Sequence, residues 1–103
     1  MNCVVIQTTC SSKDEAKNIA KALVESKLVA CVQLFEIESI YNWEDKLCCQ
    51  NETLLNIKTK KVNFSKIKSK ILELHSYDVP EIIEIDISNI SEDYLKFIKE
   101  NTI

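Results

Sequence analysis

Two long strand-like runs, Val29 to Trp43 and Leu47 to Lys60, lie back to back near the middle of this 103-residue chain. Ordinary strands hold about 5–6 residues, so each run is more than twice the usual length. Glu44-Asp45 can serve as the turn between them, because Asp tolerates the positive φ that tight hairpin turns require. Arms of this size extend about 45–50 Å at about 3.3 Å per residue. A helix of about 12–16 residues spans only about 20–24 Å. The hairpin therefore overshoots any helix the chain can lay on it. Its distal half carries Phe35, Ile37, Ile40, Tyr41 and Trp43. Long edges bearing exposed aromatics associate unless they are covered, which predicts pairing of hairpins between copies.

The remaining segments frame this hairpin. Cys3 to Thr9 is a β-branched strand, and Ser12-x-x-Glu15 has the form of a capping box at a helix start. Ala16, Ile19, Ala20, Leu23 and Val24 then recur as one apolar helix face. A second helix is expected over Phe64 to His75, with Phe64, Ile67, Ile71 and Leu74 on one side. Pro80 breaks the chain before a strand over Ile82 to Ile87, with Ile83, Ile85 and Ile87 expected inward. Ser91 is placed to cap a last helix, where Glu92 and Asp93 suit the dipole. The order βαββαβ plus a terminal helix gives an α+β, ferredoxin-like fold. One domain over residues 1–103 is expected, its antiparallel sheet covered by helices on one face.

A two-residue turn at Glu44-Asp45 fixes the hairpin register. Trp43 then faces Lys46, Tyr41 faces Cys48, Ser39 faces Gln50 and Ile37 faces Glu52. Nearer the base, Phe35 faces Leu54, Gln33 faces Asn56 and Cys31 faces Lys58. Opposed side chains share a face. The alternate set, Ala30, Val32, Leu34, Leu55 and Ile57, belongs beneath the helices.

Composition removes several function classes. The chain has no glycine, which excludes P-loops, Rossmann fingerprints and nucleophile elbows. All its basic residues are lysine, so bidentate clamping of phosphate or carboxylate is unavailable. The acylphosphatase reaction, hosted by the same fold class, needs such an arginine and is excluded with it. A formal net charge of −3 gives no case for nucleic acid, and no apolar run approaches a membrane span. Five cysteines without C-x-x-C spacing read as reduced thiols. The start Met1-Asn2-Cys3 lacks a basic signal-peptide region, so a cytoplasmic location is expected.

Four stretches carry a resemblance. Residues 20–32 (AKALVESKLVACV), 39–46 (SIYNWEDK), 52–59 (ETLLNIKT) and 75–82 (HSYDVPEI), followed by Tyr94-Leu95, resemble the signature of the CutA family in order and spacing. The family usually has glycine where Asp45 stands and proline where Ser76 stands. The resemblance implies a tight homotrimer of ferredoxin-like subunits, similar in architecture to PII signalling proteins. Members are associated with tolerance to divalent metal ions, some bind copper, and animal relatives have been linked to membrane anchoring of acetylcholinesterase. No catalytic reaction comes with the family, so no enzyme activity is expected.

Cys31 and the lone His75 are candidate soft ligands for copper or a similar divalent ion, with Glu52 and Glu81 as possible oxygen donors. The spacing is not that of a zinc finger, so such a site must be assembled in space or between subunits. His75 can equally be a helix-end side chain bonded to a carbonyl. Adjacent Cys48 and Cys49 point to opposite strand faces and cannot easily share an ion. Cys10, just before a helix N-terminus, is a candidate for a lowered thiol pKa. Lys58, Tyr41, Trp43 and Tyr77 match recurrent family positions and are candidates for lining a cleft between subunits. Three readings follow: a trimeric metal-tolerance protein, a PII-like module binding a small anionic ligand, or a protein-interaction scaffold.

Overall fold

The computed structural model describes residues 2–103. In chain order it contains β1 (Cys3–Cys10), α1 (Lys13–Glu25), β2 (Cys31–Trp43), β3 (Lys46–Lys60), α2 (Phe64–Leu74), β4 (Ile83–Asp86) and α3 (Glu92–Glu100), with a 3-10 turn at Lys61–Asn63 before α2. The four strands form one antiparallel sheet in the order β2-β3-β1-β4. The long hairpin gives the molecule its shape, 45 Å in one direction against 25 and 22 Å in the others.

The hairpin pairs as the two-residue turn requires, from Cys31 opposite Lys58 to Trp43 opposite Lys46. Glu44 and Asp45 both take positive φ, 50° and 64°. This combination matches the right-handed twist of the flanking strands. A third left-handed residue, Lys27 at φ 62°, ends α1 in a position where glycine is the usual occupant.

The main core lies between one sheet face and α1 with α2. Val4 and Ile6 of β1 and Leu55 and Ile57 of β3 meet Ile19 and Leu23 of α1 and Ile67 and Ile71 of α2, all fully buried. Val32, Leu34, Phe64 and Leu74 pack around them. Val24, expected on the buried face of α1, is instead exposed. Ser12 caps α1, its hydroxyl accepting from the Glu15 N–H at 3.1 Å. The other half of the expected box is missing, because the Glu15 carboxylate turns away to the loop after α2.

β4 runs with the opposite parity to that expected. Glu84 pairs with buried Ile6, whereas Ile83 and Ile85 pair with Gln7 and Val5. Those two isoleucines therefore point to the face opposite α1 and α2, and each remains nearly half exposed. The core-packed residue is Ile82. Glu84 sits at the sheet edge, where its carboxylate accepts from Lys61 at 2.9 Å, so a charge is accommodated on the helix side.

α3 lies on that same opposite face, at the base of the hairpin. The Lys58 ammonium sits over the Tyr94 ring at 5.4 Å, and Lys60 donates to the Thr102 carbonyl at 3.1 Å. The C-terminus is tied in by Asn63, whose buried amide donates to the Leu28 and Ile103 carbonyls at 3.2 and 3.1 Å. Beyond α3 this face is uncovered and carries Phe35, Ile83 and Ile85 among its exposed side chains.

Candidate functional site

The loop between α2 and β4 is pinned against the middle of the hairpin, and the pinning starts at His75. Its backbone N–H still closes the last turn of α2 on Ile71, while its own backbone is already extended. The buried imidazole bridges two other segments. Nε2 lies 2.7 Å from the Thr9 carbonyl, and Nδ1 lies 3.1 Å from the Tyr77 N–H. A carbonyl only accepts and a peptide N–H only donates, so Nε2 carries the proton and Nδ1 accepts. Both nitrogens are thereby engaged.

Two glutamates hold the loop from either side. Glu15 Oε2 accepts from the Ser76 N–H at 2.8 Å. Burial opposes ionisation of Glu15, but the hydrogen bonds from Ser76 hold its carboxyl below the usual range. On the hairpin, Glu52 Oε2 accepts from the Tyr77 hydroxyl at 2.8 Å. That hydroxyl accepts from Gln50 Nε2 at 3.0 Å, and the Gln50 carbonyl accepts from Tyr41. The chain Tyr41–Gln50–Tyr77–Glu52 thus runs donor to acceptor and ends on a carboxylate. Burial, together with donation to Glu52, pushes the Tyr77 phenol well above its ordinary pKa.

Hairpin and loop flank a half-open cavity of about 560 Å³. Tyr41 and Trp43 form one wall, Tyr77 and Val79 another, and Glu52, Asp78 and Glu81 supply carboxylates. Glu52 is only 7% exposed, and its Oε1 accepts no hydrogen bond among the described residues. No Lys or His nitrogen among the described residues comes within 4.0 Å of Glu52 or Glu81. Burial, and then the negative charge of Glu52, raise the Glu81 pKa. A buried carboxylate usually has a cationic partner. Here the chain offers two more carboxylates, Asp78 and Glu81.

Five of the residues singled out from sequence, Glu52, Glu81, Tyr41, Trp43 and Tyr77, therefore meet at this cavity. His75 stands behind it, its ring 4.7 Å from that of Tyr77. Cys31 and Lys58 do not join them. They pair six residues farther along β3 than Glu52, about 20 Å away within one subunit, beneath α3 and beside Tyr94. Among the described residues, no three His, Cys, Asp or Glu side chains cluster to hold a metal ion. The thiol nearest His75 is that of Cys10, with Sγ 3.8 Å from Nε2. Cys10 does not have the lowered pKa its position suggests. Burial, with Glu15 and Glu52 adding to it, pushes the thiol up to about 12.

Sequence reasoning missed the roles of Glu15 and Gln50. The capping-box spacing gave Glu15 a local task and hid its reach to Ser76. Gln50 left a single trace, its position two residues from Glu52 on the same strand face.

This arrangement sits on a chain whose residues 4–101 match the family of the CutA1 divalent ion tolerance protein. The chain belongs to the CutA1 family. Among CutA relatives, the divalent-cation tolerance protein of Thermus thermophilus is 40% identical over 99 residues, covering 95% of this chain and 96% of the relative. That of Pyrococcus horikoshii is 37% identical over 99 residues, covering 96% and 97%. The CutA1 structure from Oryza sativa superposes with a TM-score of 0.97 at 34% identity, over 100% of this chain and 95% of that one.

Proposed function

We propose that this chain is a homotrimeric, non-catalytic divalent-cation tolerance protein, and that the cavity between hairpin and loop takes up copper or a similar divalent cation. One observation carries the reading: Glu52 is buried, ends a chain of donated hydrogen bonds, and shares the cavity with Asp78 and Glu81, with no Lys or His nitrogen among the described residues within 4.0 Å of these carboxylates. A divalent ion removes the repulsion between the two glutamates and completes the charge balance of the site. The donors at the cavity are mostly oxygens, which suit harder divalent ions as well as copper. Relatives bearing the divalent-cation tolerance name support the general role. The trimer is supported by the uncovered apolar face, which a second and third copy would bury. Five free thiols accord with a reducing, cytoplasmic setting. The anion-binding PII-like alternative is disfavoured by the negative charge of the cavity.

Isothermal titration with copper, zinc and manganese tests the reading on the wild type and on the Glu52→Gln, Glu81→Gln and Cys31→Ser variants. Saturable binding weakened by both glutamate changes and kept by Cys31→Ser is expected. No saturable binding of any of the three ions overturns it. Loss on Cys31→Ser would move the site to a place where another copy brings Cys31 in.

A further inference from the structure

The attachment of the loop between α2 and β4 contains a titratable group whose two protonation states demand different partners. His75 is the only histidine, and its side chain is fully buried. The neutral ring serves the observed geometry. Nε2–H donates to the Thr9 carbonyl at 2.7 Å, and Nδ1 accepts from the Tyr77 N–H at 3.1 Å. An imidazolium has a donor on both nitrogens. Thr9 still suits Nε2, but at Nδ1 two donors then face each other. Another acceptor stands close by. Glu15 Oε2 lies 3.9 Å from Nδ1 while holding the Ser76 N–H at 2.8 Å, and a carboxylate oxygen has room for a second donor.

The groups around the ring fit such an exchange. β1 presents the Thr9 carbonyl and the Cys10 thiol, with Sγ 3.8 Å from Nε2. Burial helps push that thiol up to about 12, so it stays neutral and brings no charge. α1 presents Glu15, whose carboxyl the Ser76 hydrogen bonds hold below the usual range. It is therefore ionised wherever an imidazole titrates. β3 presents Glu52, one step removed, through the Tyr77 hydroxyl at 2.8 Å. Both carboxylates favour a charged ring. Tyr77 is the part that must move, because its N–H loses its acceptor and its ring packs 4.7 Å from the imidazole.

We propose that His75 is a proton-driven switch for this loop. On protonation, Nδ1 exchanges the Tyr77 N–H for the Glu15 carboxylate. Ser76 stays anchored on Glu15, while Tyr77 swings off the hairpin and its hydroxyl leaves Glu52. The bonds that change all lie within one chain, so association of copies supplies none of them. The switch goes beyond the cation reading and stands whether or not the cavity takes up a metal ion.

NMR of the metal-free, isotope-labelled full chain tests this between about pH 8 and about pH 5, the range in which imidazoles charge. Ring nitrogen shifts report the tautomer and charge of His75, and amide hydrogen exchange reports the Tyr77 N–H. At the upper end the Nε2–H tautomer and a protected Tyr77 amide are expected. As His75 charges, Tyr77 protection should fall at least about tenfold, corrected for the intrinsic pH dependence of exchange. Protection of Ile6 and Ile57 in the core should hold. Glu15→Gln keeps an acceptor for Ser76 without the charge, so it should move both changes to lower pH. His75→Asn offers an oxygen to the Tyr77 N–H and cannot charge, so Tyr77 protection should become independent of pH. The wild type alone is decisive: an Nδ1–H tautomer at the upper end overturns the proposal. So does a ring that stays neutral throughout, or one that charges while Tyr77 protection is unchanged. Loss of Tyr77 protection that persists in His75→Asn assigns the effect to another group and overturns it as well.

Discussion

Glu52 shows how a single side chain can be structural and unsatisfied at once. One oxygen anchors Tyr77 and so the loop, while the other faces the cavity. Removing the anchor by Glu52→Ala strands the Tyr77 hydroxyl, at a cost of about 1–3 kcal/mol, measurable by chemical denaturation. Glu81 has the simpler energetics. Its folded pKa is raised, so the native state binds more protons than the unfolded state in the window just above the ordinary carboxyl value. Stability falls as pH rises through that window. Glu81→Gln should accordingly raise the denaturation midpoint at about pH 7, with the gain vanishing at about pH 3, where the carboxyl is protonated in both folded and unfolded states. An equal gain at both pH values would show that charge is not the cause. Cys10 makes a third case. A buried thiol pushed up to about 12 is inert, so native-state alkylation followed by mass mapping should mark exposed Cys49 and spare Cys10. Sequence spacing suggested a lowered thiol pKa at Cys10 because a helix N-terminus is legible in sequence. The two glutamates that oppose ionisation come from α1 and β3, and only the fold brings them there.

Among the elements, the hairpin was the most legible. Its register follows from a two-residue turn, and Glu44 and Asp45 take the required positive φ without a glycine between them. That conformation carries strain in non-glycine residues. Replacing the pair by Asn-Gly, through Glu44→Asn and Asp45→Gly, should stabilise the protein by about 1 kcal/mol with an unchanged fold. Denaturant midpoints check this, and a loss of stability would mean that the acidic side chains hold the turn in another way. β4 was the least legible. Ile83, Ile85 and Ile87 alternate as a buried row should, yet this row lies opposite the helices while the charged Glu84 shares their side. Hydrophobic alternation identifies one apolar face but cannot say what covers it. Here the core side of β4 is an edge where Lys61 meets Glu84 and Asp86 at 2.9 and 3.0 Å, and the apolar row is left exposed. The candidate site was half readable for a similar reason. The hairpin residues and Tyr77 could be picked from sequence, but their distance from Cys31 is set by strand length and by the loop that folds back onto β3.

At the scale of the whole molecule, the sheet has two unequal faces. One is closed by α1 and α2. The other is closed by α3 only at its base, leaving Phe35, Ile83 and Ile85 exposed. A patch of this kind on a small domain marks an association surface, and a symmetric closed assembly is the usual outcome. Sedimentation equilibrium should return about three times the 11.8 kDa chain mass. Ile85→Glu, which places a charge on the exposed row without touching the cavity, should shift the protein toward monomer. Manganese added at substoichiometric levels to isotope-labelled protein broadens the NMR signals of nearby amides. Uptake in the proposed cavity should centre the broadening on Glu52, Tyr77 and Glu81, with the Cys31–Lys58 end of the hairpin spared. Broadening centred on Cys31 and Lys58 would contradict it.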